Sequence, residues 1–370
     1  MKKQFKFLLM MSLFLVGMDN GWCQQKSNQL MNRLGPLPDV KAYSEADYWV
    51  WGSSVIKTED GLYHMFVSRI PKYLRFHPGW MVASEIVHAV SDHPEGPFEF
   101  HDVALPARGA QYWDGQSTHN PKITKSGDTY VLFYMGSTHP FDDLEPGDVL
   151  DLKSPYAIIG RSNKRIGVAF SKSINGPWQR LDDPVLDVKP NTYYSFLTSN
   201  PAPWIHNDGS VVLMFKSRRY LDSFPYHSGM SIGVAKADDF KGPYEVLSQT
   251  PIFSREQETE VEDICLWKDQ DGFHLLAKDQ KGKITGTIGD GVLAHSSDAI
   301  HWTFDPYPHA YSKNLKKESG EIISQGQLER CSVLLDENGN LEYLYFATMD
   351  GPGGFNNATE SWSVAIKVND

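Results

Sequence analysis

The chain has 370 residues, of which 41% are hydrophobic and 22% charged, with a formal net charge of −11. That balance excludes a disordered chain and supplies core for one large domain or two small ones. The acidity argues against a nucleic-acid partner, and three cysteines without a Cys-x-x-Cys or His-rich spacing exclude a disulfide framework or a zinc motif.

Residues 1–23 combine a Lys-rich start, an apolar run from Phe7 to Met18, and small residues Gly21 and Cys23. This is the anatomy of a secretory signal, so the expected protein is exported to the periplasm or beyond. A lipid on Cys23 is the rival reading, which Trp22 directly before it fits less well. Removal of this segment takes away Lys2, Lys3, Lys6 and Asp19 and makes the remainder more acidic still. No later apolar run reaches the length of a membrane span. Cys265 and Cys331 then remain, either bridged or as two buried thiols.

From residue 46 onward five segments repeat one plan: a polar start, an apolar strand, a Gly-containing turn and a second strand. They begin at Gly52, His119, Ser199, Glu262 and Glu329, and their turns are Asp60-Gly61, Ser126-Gly127, Asp208-Gly209, Asp271-Gly272 and Asn338-Gly339. After four of them comes an alternating strand and a further turn ending in an aromatic, as in "SDHPEGPF", "SKSINGPW" and "SSDAIHW". Four strands per unit and five units predict an all-β, five-bladed β-propeller, with four-stranded antiparallel blades around a central channel. The last unit lacks a fourth strand, which residues 24–45, containing "GPLPDVKAYS", could supply, so that no edge is left open.

The start of each inner strand should ring one mouth of the channel. The expected ring is Gly52-Ser53, His119-Asn120, Ser199-Asn200, Glu262-Asp263 and Glu329-Arg330. Strand alternation sends Glu262 and Asp263 to opposite sides, so one faces the channel and the other is held between blades. Carboxylates on neighbouring inner strands suit glycoside cleavage, which needs one acid protonated and another ionised. The candidate catalytic residues are therefore Glu262, Asp263, Glu329 and Asp114. Candidate substrate contacts are His119, Asn120, Asn200, Arg330, Lys278, Lys216, Trp113 and Glu85. For each acid the competing reading is a salt bridge, such as Glu329 with Arg330 or Asp263 with Lys278.

On "HNPKI", "SNPAP", "VEDICLW" and "ERCSV" at the strand starts, and on the aromatic turns, the chain resembles the five-bladed propeller glycoside hydrolases. That group includes family 43 and relatives such as families 32, 62 and 117. The resemblance implies an Asp base on blade one, a second Asp on blade two and a Glu acid on blade three. This sequence departs from it, with Gly52-Ser53, His119-Asn120 and Ser199-Asn200 at the expected places. The roles then fall to Asp47 and Asp114 upstream, or to Glu262, Asp263 and Glu329, or the fold is kept for binding alone.

The export signal, the propeller, the acidic ring and the aromatic-rich mouth together lead to the expectation of an exo-acting hydrolase of an oligosaccharide from plant or algal polysaccharide. The insert from Thr138 to Arg165 would wall one side of its pocket. The alternatives are a non-catalytic glycan-binding propeller and a glycoside phosphorylase using Lys216, Arg218, Arg219 and Arg330. No cofactor is required. Some relatives carry an ion, so a calcium held in the channel by Asp263 or Glu262 is a further expectation.

Overall fold

A computed structural model describes residues 29–369; the expected signal over residues 1–23, with Cys23, lies outside the described residues. The strands fall into five antiparallel blades and one separate two-stranded hairpin. Blade one is β1 (Tyr48–Lys57), β2 (Tyr63–Pro71), β3 (Glu85–Ser91) and β4 (Glu99–Leu105). Blade two is β5 (Ser117–Ser126), β6 (Thr129–Ser137), β7 (Arg165–Ser171) and β8 (Gln179–Arg180). Blade three is β9 (Leu197–Ile205), β10 (Val211–Arg218), β11 (Ser231–Ala237) and β12 (Glu245–Val246), with β13 (Phe253–Ser254) also paired to β11. Blade four is β14 (Val261–Asp269), β15 (Gly272–Asp279), β16 (Gly291–Ser296) and β17 (Thr303–Tyr311). A small hairpin, β18 (Asn314–Lys316) and β19 (Ile322–Ser324), leads to blade five: β20 (Gln327–Leu335), β21 (Leu341–Met349) and β22 (Ser361–Lys367).

The first strands of the blades touch in the order β1, β5, β9, β14, β20 and back to β1, which closes the five-bladed propeller. All five hairpin glycines, Gly61, Gly127, Gly209, Gly272 and Gly339, have positive φ, as tight turns between twisted strands require. Beside blade five, the N-terminal backbone pairs with β22 at Gly35, Ala42 and Tyr43 and with β18 at Leu37. Gly35 N donates to Lys367 O at 2.8 Å, Ala42 N to Ser363 O at 2.9 Å, and Ser363 N to Tyr43 O at 2.8 Å. Between the blades lies the core, as where Phe66, Ile86 and Leu105 meet Leu132 and Tyr134.

Each inner strand is broken at the same point. Register shifts fall between Trp51 and Ser54, His119 and Lys122, Glu262 and Cys265, and Glu329 and Ser332, with a matching shift in the pairing of β9 with β10. The bulged residues Gly52, Asn120, Asn200, Asp263 and Arg330 all take left-handed φ, between 51° and 65°. A bulge inserts one unpaired residue and re-aims its neighbours. Its position corrects the expected ring on blade one by one residue: Trp51, not Gly52, is the counterpart of His119, Glu262 and Glu329.

Among the described residues three short α-helices also form: α1 (Leu30–Arg33), α2 (Phe76–Gly79) and α3 (Pro155–Ser162). The sequence reading missed them because none is long enough to show a periodicity. Among the described residues, no helix is long and apolar enough to cross a membrane.

Candidate active site

The bulges build two levels at one end of the axis. At the lower level the five left-handed residues plug the channel. Asn120 Nδ2 donates to Asn200 Oδ1 at 2.9 Å, and Arg330 Nη1 lies 2.7 Å from Asp263 Oδ1. Gly52 completes the ring because a Cβ there would lie 3.3 Å from Asn120 Oδ1. The cavity left among these groups is about 10 Å³, room for roughly one water. This donor set does not fit a calcium ion. One carboxylate is present, and the Arg330 guanidinium and the Lys278 ammonium, 3.7 Å from Asp263 Oδ2, already compensate its charge.

Above the plug opens a pocket of about 460 Å³ to which every blade contributes. Trp51, His119, Leu197, Glu262 and Glu329 come from the inner strands, and Lys216, Arg218, Lys278 and Gln280 from the ends of the second strands or just beyond. Glu262 and Glu329 occupy equivalent positions on neighbouring inner strands, and Lys278 joins them. Its Nζ lies 2.5 Å from Glu329 Oε1 and 3.3 Å from Glu262 Oε2. Glu262 is also bound by Lys216 at Oε1 and by Gln280 at Oε2.

The two carboxyls are driven apart electrostatically. Burial raises both, but at Glu262 the charges of Lys216, Lys278 and Arg330 outweigh it and hold the group well below the usual carboxylate range. At Glu329 burial prevails over Lys278, helped by the negative charges of Asp263 and Glu262, and the carboxyl is raised. His119 cannot share the acid role as a cation. Burial, then Arg330 and Lys164, depress its imidazole far below neutrality, and its Nδ1 sits 2.8 Å from Ser84 Oγ.

Of the residues singled out in the sequence, the structure brings Glu262, Glu329, His119, Arg330, Lys278 and Lys216 into the pocket wall. Asp263, Asn120 and Asn200 lie in the plug beneath it. Three lie elsewhere. Asp114 is fully buried in a network with Arg108 at 2.6 Å, Tyr134 at 2.7 Å and Arg180 at 3.4 Å. Trp113 stacks on Tyr134 with ring centroids 5.7 Å apart and packs over Gly136 and Gly167. Glu85 pairs with Arg69 at 2.7 Å, which also holds Glu45. These side chains tie strands together away from the pocket. Asp47 is exposed outside it.

Sequence reasoning missed Arg161, Lys164, His77 and Trp80. Arg161 and Lys164 belong to the insert from Thr138 to Arg165, whose α3 ends at the pocket, and His77 and Trp80 come from the α2 loop of blade one. A cationic run, "GRSNKR", was the available signal for the first two. Cys265 and Cys331 are both free, buried thiols.

The architecture defines a five-bladed propeller with a polar pocket at one end of a plugged axis. Solved structures share that fold. The family 117 glycoside hydrolase Zg3597 of the marine bacterium Zobellia galactanivorans superposes with a TM-score of 0.64 at 16% identity, over 90% of this chain and 89% of that one. A second glycoside hydrolase gives 0.64 at 13% identity, over 94% of this protein and 94% of that one. A thermostable family-43 glycoside hydrolase gives 0.56 at 12% identity, over 90% of this chain and 91% of that one. No family model and no curated protein sequence matches the chain. At these identities the likeness establishes the fold.

Proposed function

We propose that this chain is an exported glycosidase that removes a sugar from the end of an oligosaccharide. The observation that carries the reading is the pair Glu262 and Glu329, two buried carboxyls on adjacent inner strands with oppositely displaced affinities for a proton. Environments that push two carboxyls apart assign the acid and the base. Glu329, the more readily protonated of the two, would deliver its proton to the leaving glycosidic oxygen. Glu262 stays ionised; three of its roughly four lone-pair sites are engaged, and the fourth can take a proton from water. The likeness in fold to glycoside hydrolases supports the same reading. A pocket walled by the insert on one side and closed below by the plug suits a chain end.

The test is sugar release from a panel of plant and algal oligosaccharides by the wild type, Glu329→Gln and Glu262→Gln. Each variant should lose about 10²- to 10⁴-fold in turnover. Folded variants with near-full turnover would remove the assignment.

A second reading, a glycan-binding propeller without catalysis, is favoured by one observation. Lys216 and Lys278 clamp both carboxylates in ion pairs, as the wall of a binding site would be held. It expects saturable binding with no product after long incubation.

A further inference from the structure

The pocket is far more cationic than the chain around it. Seven basic side chains line it against two acids, in a protein whose formal charge is −11. Three of these cations already have partners in Glu262, Glu329 and Asp263: Lys216, Lys278 and Arg330. Arg161, Lys164 and Arg218 do not, and neither does the half-buried Lys313. Among the described residues no carboxylate lies within ion-pair distance of them. Yet Lys164 is only 3% exposed.

The geometry of Arg161, Lys164 and Arg218 is convergent. Lys164 sets its Nζ 3.8 Å from the centroid of the Trp80 ring, a contact that tolerates but does not neutralise its charge. His227 stands between the two guanidinium groups, its Nε2 3.4 Å from Arg161 Nη1 and its Nδ1 3.2 Å from Arg218 Nη1. A neutral imidazole accepts at one nitrogen only. Ser228 O, 3.0 Å from Nδ1, fits a proton there, so Nε2 accepts from Arg161 while Arg218 turns to Ser228 O at 2.5 Å. The remaining donors of both guanidinium groups are left for something else. Buried charges persist when they are paired, and the missing counter-charge is an anion.

We infer that Arg161, Lys164 and Arg218 form the seat for an acidic group carried by the sugar itself, a carboxylate or a sulfate ester. Two forked guanidinium groups and one ammonium match the planar or tetrahedral oxygens of such a group. The inference rests on the pocket being a saccharide site, and names which saccharides it selects. Burial of Lys164, reinforced by Lys216, Arg161, Arg218 and Arg330, depresses its ammonium well below the ordinary lysine range, as an unneutralised cluster would.

The test separates this seat from the catalytic reading by measuring binding without turnover. Glucose, glucuronic acid and glucose 6-sulfate, and the corresponding galactose series, are titrated calorimetrically into the intact protein, alongside inorganic phosphate. At least one acidic sugar should bind about tenfold or more tightly than its neutral counterpart, and the carboxylate and sulfate arms show which acid is taken. Lys164→Met should abolish the preference, with a melting temperature equal to or above that of the wild type because an unpaired buried charge is gone. Wild-type melting should rise with the acidic sugar, a readout independent of the variant. No preference in either series overturns the inference, as does binding of inorganic phosphate alone, which would mark a phosphorolytic site. Acidic-sugar binding without any turnover overturns the glycosidase reading only. Cleavage of neutral oligosaccharides without an acidic preference overturns this inference only.

Discussion

Lys278 is the residue on which the pocket's acid–base balance turns. It reaches Glu262, Asp263 and Glu329 at once, and their charges raise its own pKa despite burial. The pH dependence follows from the signs. Glu262, depressed, must be ionised, so kcat/KM should fall on the acid side only below the ordinary carboxylate range; Glu329, raised, must be protonated, so the alkaline fall should lie above that range. In Glu329→Gln the alkaline limb should vanish from a pH–rate profile. Glu262 also links to stability: its folded pKa is lowered, so the stabilisation is present above the unfolded value near 4.5 and is lost as pH falls through the folded one. Acid titration followed by near-ultraviolet circular dichroism should show this loss diminished in Glu262→Gln. Asp114 belongs to a different class. Asp114→Asn leaves Arg108 and Arg180 short of a buried counter-charge and should cost about 3–5 kcal/mol in urea denaturation while KM is unchanged. Nothing in the sequence around Asp114 separated it from a site residue, because a carboxylate beside two aromatics reads alike whether it faces a sugar or two arginines.

At the scale of the strand, the bulge decides the site. Alternation would have placed Glu262 and Asp263 on opposite faces. The left-handed turn at Asp263 instead lets Glu262 face the pocket while Asp263 drops into the axis to meet Arg330. The residue types at four of the five bulges, Gly52, Asn120, Asn200 and Asp263, are those that tolerate positive φ, so the device left a trace in the sequence. Arg330 is the exception, held by Asp263 through its guanidinium and its backbone N–H. Gly52→Val should cost roughly 1–3 kcal/mol, because a branched residue must take φ 65° with its Cβ against Asn120. Equilibrium unfolding measures it, and loss of affinity for the oligosaccharide should accompany it if the plug sets the pocket floor.

For the whole molecule, ring closure and charge distribution are the governing features. Ala42 and Tyr43 are buried against Tyr345 and Ala365, and their backbone pairs with β22. A chain beginning at residue 46 should lose about 3–6 kcal/mol from that burial and its hydrogen bonds, and should aggregate through the exposed strand edge, which light scattering during thermal melting would show. The recurring strand, glycine turn and strand determined the five-bladed all-β architecture from the sequence alone, since period-two patterning and turn chemistry are local properties. The polar starts of blades four and five likewise marked Glu262 and Glu329 from the sequence, and the returning end of the second strand marked Lys278. What only the tertiary structure decided is which charges meet. The equivalence of Trp51 with His119 and Glu262 depends on bulge register, and the separation of Asp263 from Glu262 depends on one left-handed residue. The convergence of Arg161 and Lys164 from blade two with Arg218 from blade three depends on how neighbouring blades pack. Electrostatic energy falls with distance in space, and residues far apart along the chain acquire a distance only when the ring closes.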